Sequence, residues 1–214
     1  MALSIEEKKG IWKPSVHAMI SIIPMGERAG YYASNPESMY KGNKRKLKNV
    51  LAQRHIHDKA ELKKSIEWNI AVGNRCEFQN LYEELMLLSE AERIRKIEVE
   101  KNPKEKQKLT VVNYYLRRMP RGGIGACDYT ITVFHCLIGG QLRWLTKDEV
   151  WSYAGKLVCL AKENYDSWHD YCTGFAVGLE CYVANGSVNY AREGKQFLVR
   201  LLNSEASPMV QTKL

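Results

Sequence analysis

The sequence predicts an all-α protein, and two observations support this prediction. Apolar residues recur at helical spacing along most of the chain, and recognisable start signals precede several of these stretches. The signals are capping-box patterns, in which Asp, Ser or Thr is followed three residues later by Glu: Asp58–Glu61, Ser89–Glu92 and Thr146–Glu149. We therefore expect a compact bundle of about seven to nine helices without a substantial sheet.

The first helical elements are predicted from residue 35 onward. Asn35-Pro36 is typical of an N-cap followed by proline at the first helical position, and a loose apolar stripe then extends to Leu51. The box at Asp58 begins a helix that should end at Gly73. A further apolar pattern at helical spacing covers Phe78 to Met86.

The middle of the chain is more ambiguous. The helix that begins at Ser89 is highly charged and should end near Asn102-Pro103. Val111 to Met119 fits either a helix or a short strand, because β-branched and aromatic residues are mixed there. Asp128 to Ile138 has residues that suit a strand, but its length and its neighbours favour a buried helix that stops at Gly139-Gly140.

The C-terminal helices have clearer apolar faces. The box at Thr146 leads to a face formed by Val150, Ala154, Leu157, Val158 and Ala161. Ser167 should cap the next helix, which ends at Asn185-Gly186, and a last helix is expected from about Asn189 to Leu202. The helix that Ser167 caps should bury the following residues: Trp168, Tyr171, Cys172, Phe175, Leu179 and Tyr182.

These elements predict one helical domain with two flanking segments. Residues 1–34 should pack on the core as an N-terminal segment, residues 35–203 should form a single helical domain, and residues 204–214 should be a loose tail. A chain of 214 residues is long enough to bury a sizeable core.

Composition and the first residues predict a cytoplasmic protein. The chain is 45% hydrophobic and 26% charged, which is typical of globular proteins and excludes collagen-like or low-complexity sequence. Pro24 interrupts the apolar stretch His17–Met25, so we expect no membrane insertion. Glu6 and Glu7 do not suit a secretory signal, although export by a specialised secretion system is compatible with the sequence. Because no secretory signal is recognised, the six cysteines are expected to be reduced, and no two of them have C-x-x-C spacing.

Charge is segregated along the chain, although the formal net charge is only +8. Residues 41–64 contain nine basic and two acidic residues, a net charge of +7, and residues 93–121 contain ten and three, again +7. Between them, residues 65–92 contain one arginine and six glutamates, a net charge of −5. Either basic stretch could bind an anionic partner, or both could be solvated helix faces.

Three blocks of sequence resemble a known family. The first extends from Leu51 to Phe78 and includes Gly73-Asn74-Arg75; the second is Gly125-Ala126-Cys127-Asp128. The third begins with Trp144 to Trp151 and continues through Ser167-Trp168-His169-Asp170-Tyr171 to Gly178. Together they resemble a bacterial family of unknown function, the YbeU/YbeR-like proteins.

The resemblance implies a bacterial helical domain and no established activity. The family usually has Trp where this chain has Cys127, Arg where it has Ile131, and a Gly-Arg pair where it has Leu179-Glu180. If the family's Asp and Arg form a buried pair, the resemblance implies that Asp128 has lost its partner here.

Three residues are candidates for catalysis. Asp128 opens an apolar segment and could act as a general base, or it could simply complement a helix N-terminus. His169 and Asp170 lie at another helix start and could supply a base and a second carboxylate. His169 and Cys172 could also join His135-Cys136 in binding zinc, but paired-ligand spacing is absent, so we predict no metal site and no cofactor.

Six basic residues are candidates for anion binding. Gly122-Gly123-Ile124-Gly125 follows three arginines and could hold a phosphate through backbone amides, or it could be a flexible connection. It lacks the Lys-Ser/Thr ending of a P-loop. The candidate anion-binding residues are Lys44, Arg45, Lys46, Arg117, Arg118 and Arg121.

The sequence therefore favours a bacterial interaction protein whose basic surface binds an acidic protein or another anionic partner, in a setting such as interbacterial competition or secretion. The alternative hypothesis is a toxin-like effector enzyme that acts on a nucleotide or nucleic acid. A third is an immunity or chaperone-like partner, although inhibitors of basic nucleases tend to be acidic. The sequence alone does not decide whether the protein is an enzyme, and it makes no prediction of oligomeric state.

Overall fold

A computed structural model describes residues 4–24, 29–182 and 195–214. Every regular element in these ranges is a helix and none of their residues lies in a strand, so the prediction of an all-α fold is confirmed. In chain order the helices are α1 (Ile5–Ile20), α2 (Ala29–Ser34), α3 (Glu37–Tyr40), α4 (Lys44–Ala52), α5 (Lys59–Ala71), α6 (Gly73–Met86), α7 (Glu90–Val99), α8 (Pro103–Tyr115), α9 (Gly125–Gln141), α10 (Lys147–Asn164), α11 (Trp168–Tyr182), α12 (Lys195–Asn203) and α13 (Pro208–Gln211).

The described ranges contain slightly more helices than the seven to nine expected, because several are short. The stretch between residues 35 and 51 forms two helices, α3 and α4. Its interruption coincides with Gly42-Asn43, where the Asn43 side chain caps α4 by accepting a hydrogen bond from the backbone N–H of Arg45 at 2.8 Å. The predicted end of a helix at Asn185-Gly186 and the start near Asn189 lie outside the described residues.

Three helices begin at the capping boxes that the sequence predicts. At Ser89 and Thr146 both reciprocal hydrogen bonds of a capping box are formed. The Asp58 carboxylate accepts a hydrogen bond from the backbone N–H of Glu61 at 2.9 Å. The segment from Val111, for which helix and strand were both open, continues α8 as far as Tyr115.

α9 is the central helix of the larger hydrophobic core, and it contacts α1, α5, α6, α10 and α11. Its buried residues occur on every side of the helix, as expected for a helix surrounded by neighbours. The predicted apolar face of α10 is entirely buried. On α11 the predicted residues from Trp168 to Phe175 are buried, whereas Leu179 and Tyr182 are half-buried.

α1 packs along α10 and α9. Val16, Met19 and Ile20 are completely buried in the same cluster as α9 and α10. The indole of Trp12 lies so close to Gly155 that a Cβ there would be 2.6 Å from Trp12 Nε1. The N-terminal segment is therefore part of the main core.

A second, smaller cluster lies between α6, α8 and the end of α11. Phe78 and Leu85 of α6 pack there with Val112 of α8 and Val177 of α11. Ile124, immediately before α9, also belongs to it and is completely buried. α7 buries none of its residues and contacts mainly α8.

The C-terminal segment is packed, in contrast to the loose tail that the sequence predicts for residues 204–214. Met209 on α13 is buried and touches Cys172 at an S···S distance of 3.7 Å. Trp168 Nε1 donates a hydrogen bond to the Thr212 carbonyl at 2.6 Å. Ser207 caps α13, and α13 also contacts α1. The segment is short and polar, so nothing in its local pattern indicates that the core needs Met209.

Close packing between α11 and the segment before α9 depends on Gly174. A Cβ at Gly174 would lie 2.5 Å from the Gly123 carbonyl oxygen and 2.7 Å from the Tyr165 hydroxyl. Because one of these contacts is backbone, side-chain rotation alone cannot relieve it.

We expect Gly174→Ala to lower the free energy of unfolding by about 2 kcal/mol, since α11 must move away from its neighbours. Gly10→Ala is the matched control, because a Cβ at Gly10 meets nothing within 4 Å and alanine favours the α1 helix by up to about 1 kcal/mol. Urea unfolding of both variants measures the difference. Equal unfolding midpoints for the two would contradict the tight contact.

Candidate functional site

The Asp128 carboxylate is buried at the first turn of α9 and is held by the start of α6. Asp128 is only 3% exposed. One oxygen accepts a hydrogen bond from the Asn74 side-chain amide at 3.1 Å, and the other accepts one from the backbone N–H of Arg75 at 2.9 Å. The Arg75 guanidinium lies 3.5 Å from the same carboxylate. We call Asp128, Asn74 and Arg75 the carboxylate clasp.

The guanidinium of Arg75 also joins the clasp to the end of α5. It donates hydrogen bonds to the carbonyls of Asn69 and Ile70, and it lies over the Tyr129 ring at 5.2 Å from the centroid. These contacts satisfy orphan carbonyls at a helix C-terminus with a cation, which is a favourable placement. The clasp therefore fastens α5, α6 and α9 together.

Gly73 lets the chain turn around this carboxylate. Its φ is +66°, and a Cβ there would lie 2.3 Å from Asp128 Oδ2. Glycine is favoured here for both reasons. Burial raises the pKa of the Asp128 carboxyl, and the hydrogen bonds from Arg75 and Asn74 only partly offset that effect.

The clasp gives Asp128 an arginine partner from a position other than the one in the resembling family. Ile131 does stand where the resembling family has Arg, but Arg75 supplies the guanidinium from another helix. Sequence reasoning noted Gly73-Asn74-Arg75 only as part of the resemblance. A glycine that ends one helix, followed by Asn and Arg at the start of the next, was the available signal.

The structure does not bring the three candidate catalytic residues together. The side chain of His169 is 79% exposed on the first turn of α11, with its Nδ1 3.7 Å from Asp170 Oδ1. Asp170 accepts a hydrogen bond from the Ser167 hydroxyl at 2.8 Å and belongs to the cap of α11. Asp128 is committed to the clasp on α6 and has no hydrogen bond or ion pair with either residue.

The Gly122–Gly125 turn is filled by the hydroxyl of Tyr165. This hydroxyl accepts a hydrogen bond from the backbone N–H of Ala126 at 2.8 Å and donates toward the carbonyls of Gly122 and Gly123, both at 2.9 Å. Burial raises the pKa of Tyr165 far above its usual value, so the phenol remains a donor. The amide that a phosphate would need at the start of α9 is therefore already hydrogen-bonded.

The three arginines before this turn have different surroundings. Arg121 donates a hydrogen bond to the Glu163 carbonyl at the end of α10. Arg118 lies over the Tyr114 ring at 5.1 Å from its centroid. Arg117 is exposed. Of these three arginines, only Arg117 has no such contact with another described residue.

The residues considered for zinc are also dispersed. Within the described ranges, no group of three or more His, Cys, Asp or Glu side chains is placed to hold a metal ion. All six cysteines are free thiols; Cys136, Cys172 and Cys181 are buried and Cys76 and Cys159 are exposed. Burial raises the pKa of the Cys172 thiol to about 12.

The first basic stretch leaves most of its charge uncompensated. Lys41 pairs with Glu37 and Lys63 pairs with Glu149. Seven other basic residues of this stretch form no ion pair with any described carboxylate: Lys44, Arg45, Lys46, Lys48, Arg54, Lys59 and Lys64. We call the exposed side chains of Lys44, Arg45, Lys46 and Lys48 the α4 basic surface.

The α4 basic surface opposes the helix on which it lies. The first three residues of α4 are Lys44, Arg45 and Lys46, and its first turn has no acidic residue. Cations at a helix N-terminus are unfavourable by about 0.3–1 kcal/mol each, because the helix dipole is positive there. The opposite face holds Leu47 and Leu51, which are buried in the core.

Two lysines of the second basic stretch form ion pairs with glutamates. Lys96 pairs with Glu84, and Lys108 pairs with Glu77 and Glu105. Arg93 donates to the Asn113 side chain and to the Leu88 carbonyl. Eight of the ten basic residues of this stretch form no ion pair with a described carboxylate, so both stretches keep most of their charge. They differ in the placement of that charge, because four exposed cations fall within the first five residues of α4.

Residues 54–214 match the family model described as "Protein of unknown function (DUF1266)". This chain belongs to the DUF1266 family. No curated protein and no solved structure matches the chain. The match includes the carboxylate clasp of this DUF1266 protein, whereas α1 to α4 precede it. No helix of the described residues has both the length and the apolar character that crossing a membrane requires.

We expect Asp128→Ala to lower the free energy of unfolding of this DUF1266 protein by about 3 kcal/mol, because it leaves the Arg75 guanidinium without its carboxylate in a mostly buried place. Asp170→Ala is the control, since it removes a carboxylate from a half-exposed helix cap and should cost about 1 kcal/mol. Chemical denaturation of both proteins provides the comparison. A smaller loss for Asp128→Ala than for Asp170→Ala would show that the clasp does not stabilise the fold.

The buried His135 is expected to lower the free energy of unfolding in acid. It is 5% exposed, and burial together with the charge of Arg54 lowers its pKa from 6.5 to about 4. Between these two values the unfolded chain binds more protons, so acidification favours unfolding. Wild-type protein should lose about 2 kcal/mol more than His135→Gln between pH 7 and pH 5.

Urea unfolding at the two pH values measures this difference. His169→Gln is the control, because His169 is exposed and its replacement should leave the pH dependence of wild-type protein intact. Parallel pH dependences for wild type and His135→Gln would contradict the prediction.

Proposed function

We propose that this protein is a helical binding protein whose α4 basic surface binds an acidic segment of another protein. The supporting observation is the position of Lys44, Arg45 and Lys46 at the N-terminus of α4, where they lower helix stability and have no carboxylate partner in the described residues. A surface that opposes its own helix in this way is better explained by binding than by folding.

The arrangement of α4 suits a row of carboxylates. Lys44 and Lys48 are four residues apart and Arg45 and Lys48 are three apart, so their side chains share one face of the helix. The buried Leu47 and Leu51 hold that helix against the core and leave the cations outside. Charge complementarity of this kind speeds association and makes binding sensitive to salt.

An acidic protein suits this surface better than a nucleic acid. Proteins that bind single strands usually stack bases on exposed aromatic side chains, and the exposed aromatic residues of the described chain, Tyr31, Trp68 and Tyr114, lie outside α4 and the connection that follows it. Lysines outnumber arginines on α4, whereas arginine is the better bidentate ligand for phosphate. The apolar face of α4 is buried, so it offers nothing to insert into a lipid surface.

The alternative hypothesis of an effector enzyme needs Asp128, His169 and Asp170 to act together beside a phosphate. The Asp128 carboxylate is occupied by Asn74 and Arg75, and Asp170 takes part in a helix cap. The geometry of these side chains gives the enzyme hypothesis no support, and no second function is proposed.

Within the DUF1266 family we propose a bacterial protein related to the YbeU/YbeR-like members. This finer placement is supported by the blocks around Gly73-Asn74-Arg75, Asp128 and Ser167–Tyr171, most of which lie in the matched region. It adds no activity to the proposal.

The proposal predicts that reversing three charges on α4 abolishes most binding to an acidic probe. We expect the triple variant Lys44→Glu, Arg45→Glu and Lys48→Glu to bind a fluorescent 15-residue polyglutamate peptide at least roughly tenfold more weakly than wild type at low salt. Fluorescence anisotropy measures the affinity. Acidic residues favour the start of a helix, so loss of folding is not expected.

The matched control reverses two lysines and one arginine of the other basic stretch: Arg95→Glu, Lys101→Glu and Lys104→Glu. These residues are exposed and form no ion pair with the described carboxylates, so the control changes net charge equally. Equal losses in both triple variants would contradict a specific α4 site. Tighter binding of double-stranded DNA than of polyglutamate, with the same dependence on α4, would replace the acidic protein with a nucleic acid.

A further inference from the structure

The helices α4 and α9 are followed by the same strained turn. His55, three residues after the end of α4, has φ +57°, and Arg143, two residues after the end of α9, has φ +62°. In both, the next residue bonds back to the last turn: Ile56 N–H donates to the Leu51 carbonyl at 3.1 Å, and Trp144 N–H donates to the Gly139 carbonyl at 2.9 Å. This is the Schellman ending, in which glycine is the usual residue at the left-handed position.

The start of α5 packs on the end of α9. A Cβ at Gly139 would lie 2.5 Å from a methyl of Leu62 and 3.1 Å from Leu145. One residue further along α5, Lys63 pairs with Glu149 in the first turn of α10. The α9–α10 turn is thus a direct neighbour of α5, which follows the connection after α4.

Exposed cations flank the contact between α5 and the α9–α10 turn. Lys59 is the first residue of α5, Lys147 is the first residue of α10, and Arg143 lies in the turn before it. All three are exposed, and none forms an ion pair with a carboxylate of the described residues.

The acidic side chains at this contact already have partners. Asp58 and Glu61 accept backbone hydrogen bonds at the start of α5. Asp148 pairs with Lys8, and Glu149 pairs with Lys63. These carboxylates keep their charge, but none of them forms an ion pair with Lys59, Arg143 or Lys147.

We infer that the binding surface extends from the α4 basic surface across the start of α5 to the α9–α10 turn, with Arg143 and Lys147 as a second set of contacts for the same acidic protein segment. This inference rests on the proposed function and deepens it. The left-handed position of Arg143 has an energetic cost that glycine would avoid, as expected where a side chain is retained for contact rather than for folding. Arg143 and Lys147 are distant from residues 41–64 in sequence, and only packing places them on this surface.

The test combines Arg143→Gly with Lys147→Gln in the full chain. We expect the double variant to bind the 15-residue polyglutamate peptide about three- to tenfold more weakly than wild type at low salt, because two exposed ion pairs are lost. We also expect its Tm to rise by about 3 °C, since glycine relieves the left-handed strain at position 143. Weaker binding in a more stable protein would show that the variant has lost contacts with the peptide and has not lost its fold.

Arg95→Gln with Lys104→Gln is the matched control and should change affinity less than about twofold. These two cations lie outside the proposed surface, and salt weakens their attraction to a peptide bound there. If the α4 triple variant binds normally, the proposed function fails. If the α4 variant loses binding but Arg143→Gly with Lys147→Gln stays within twofold of wild type, the extended surface alone is overturned. Losses in both, with the control unchanged, support the inference.

Discussion

The position of the central helix depends on one buried carboxylate. Asp128 lies at the first turn of α9, and its charge is acceptable there only because the start of α6 surrounds it with the Asn74 amide and with the backbone and guanidinium of Arg75. Gly73 must adopt a left-handed conformation and lack a Cβ for the two helices to meet in this way. Since α9 contacts most of the other long helices, this junction positions the rest of the core.

Close backbone contacts extend this arrangement toward α11. The Tyr165 hydroxyl occupies the turn before α9, and Gly174 allows α11 to approach the carbonyl of Gly123. A turn rich in glycine can bind phosphate or can serve tight packing, because both uses require a backbone without side chains. Here a phenol satisfies the amide of Ala126, so the glycines serve packing.

The placement of charge distinguishes two basic stretches of equal net charge in the folded protein. α6 contributes Glu77 and Glu84 to lysines of α8 and α7, whereas the first five residues of α4 include four exposed cations that form no ion pair with a described carboxylate. The two carboxylates nearest to α4 in sequence are engaged elsewhere, since Asp58 caps α5 and Glu37 pairs with Lys13 and Lys41. The uncompensated cations on α4 are the physical basis of the proposed binding function.

Sequence alone determined the features that depend on neighbours three or four residues apart. The capping boxes at Ser89 and Thr146, the buried face of α10 and the all-α class follow from local hydrogen bonding and apolar spacing. Tertiary structure decided which distant residues meet. Arg75 and Asp128 are 53 positions apart, Met209 enters the core from a polar segment, and Leu62 of α5 packs on Gly139 near the end of α9. Local patterns do not encode such contacts, because they depend on where each helix ends and on which helix covers it.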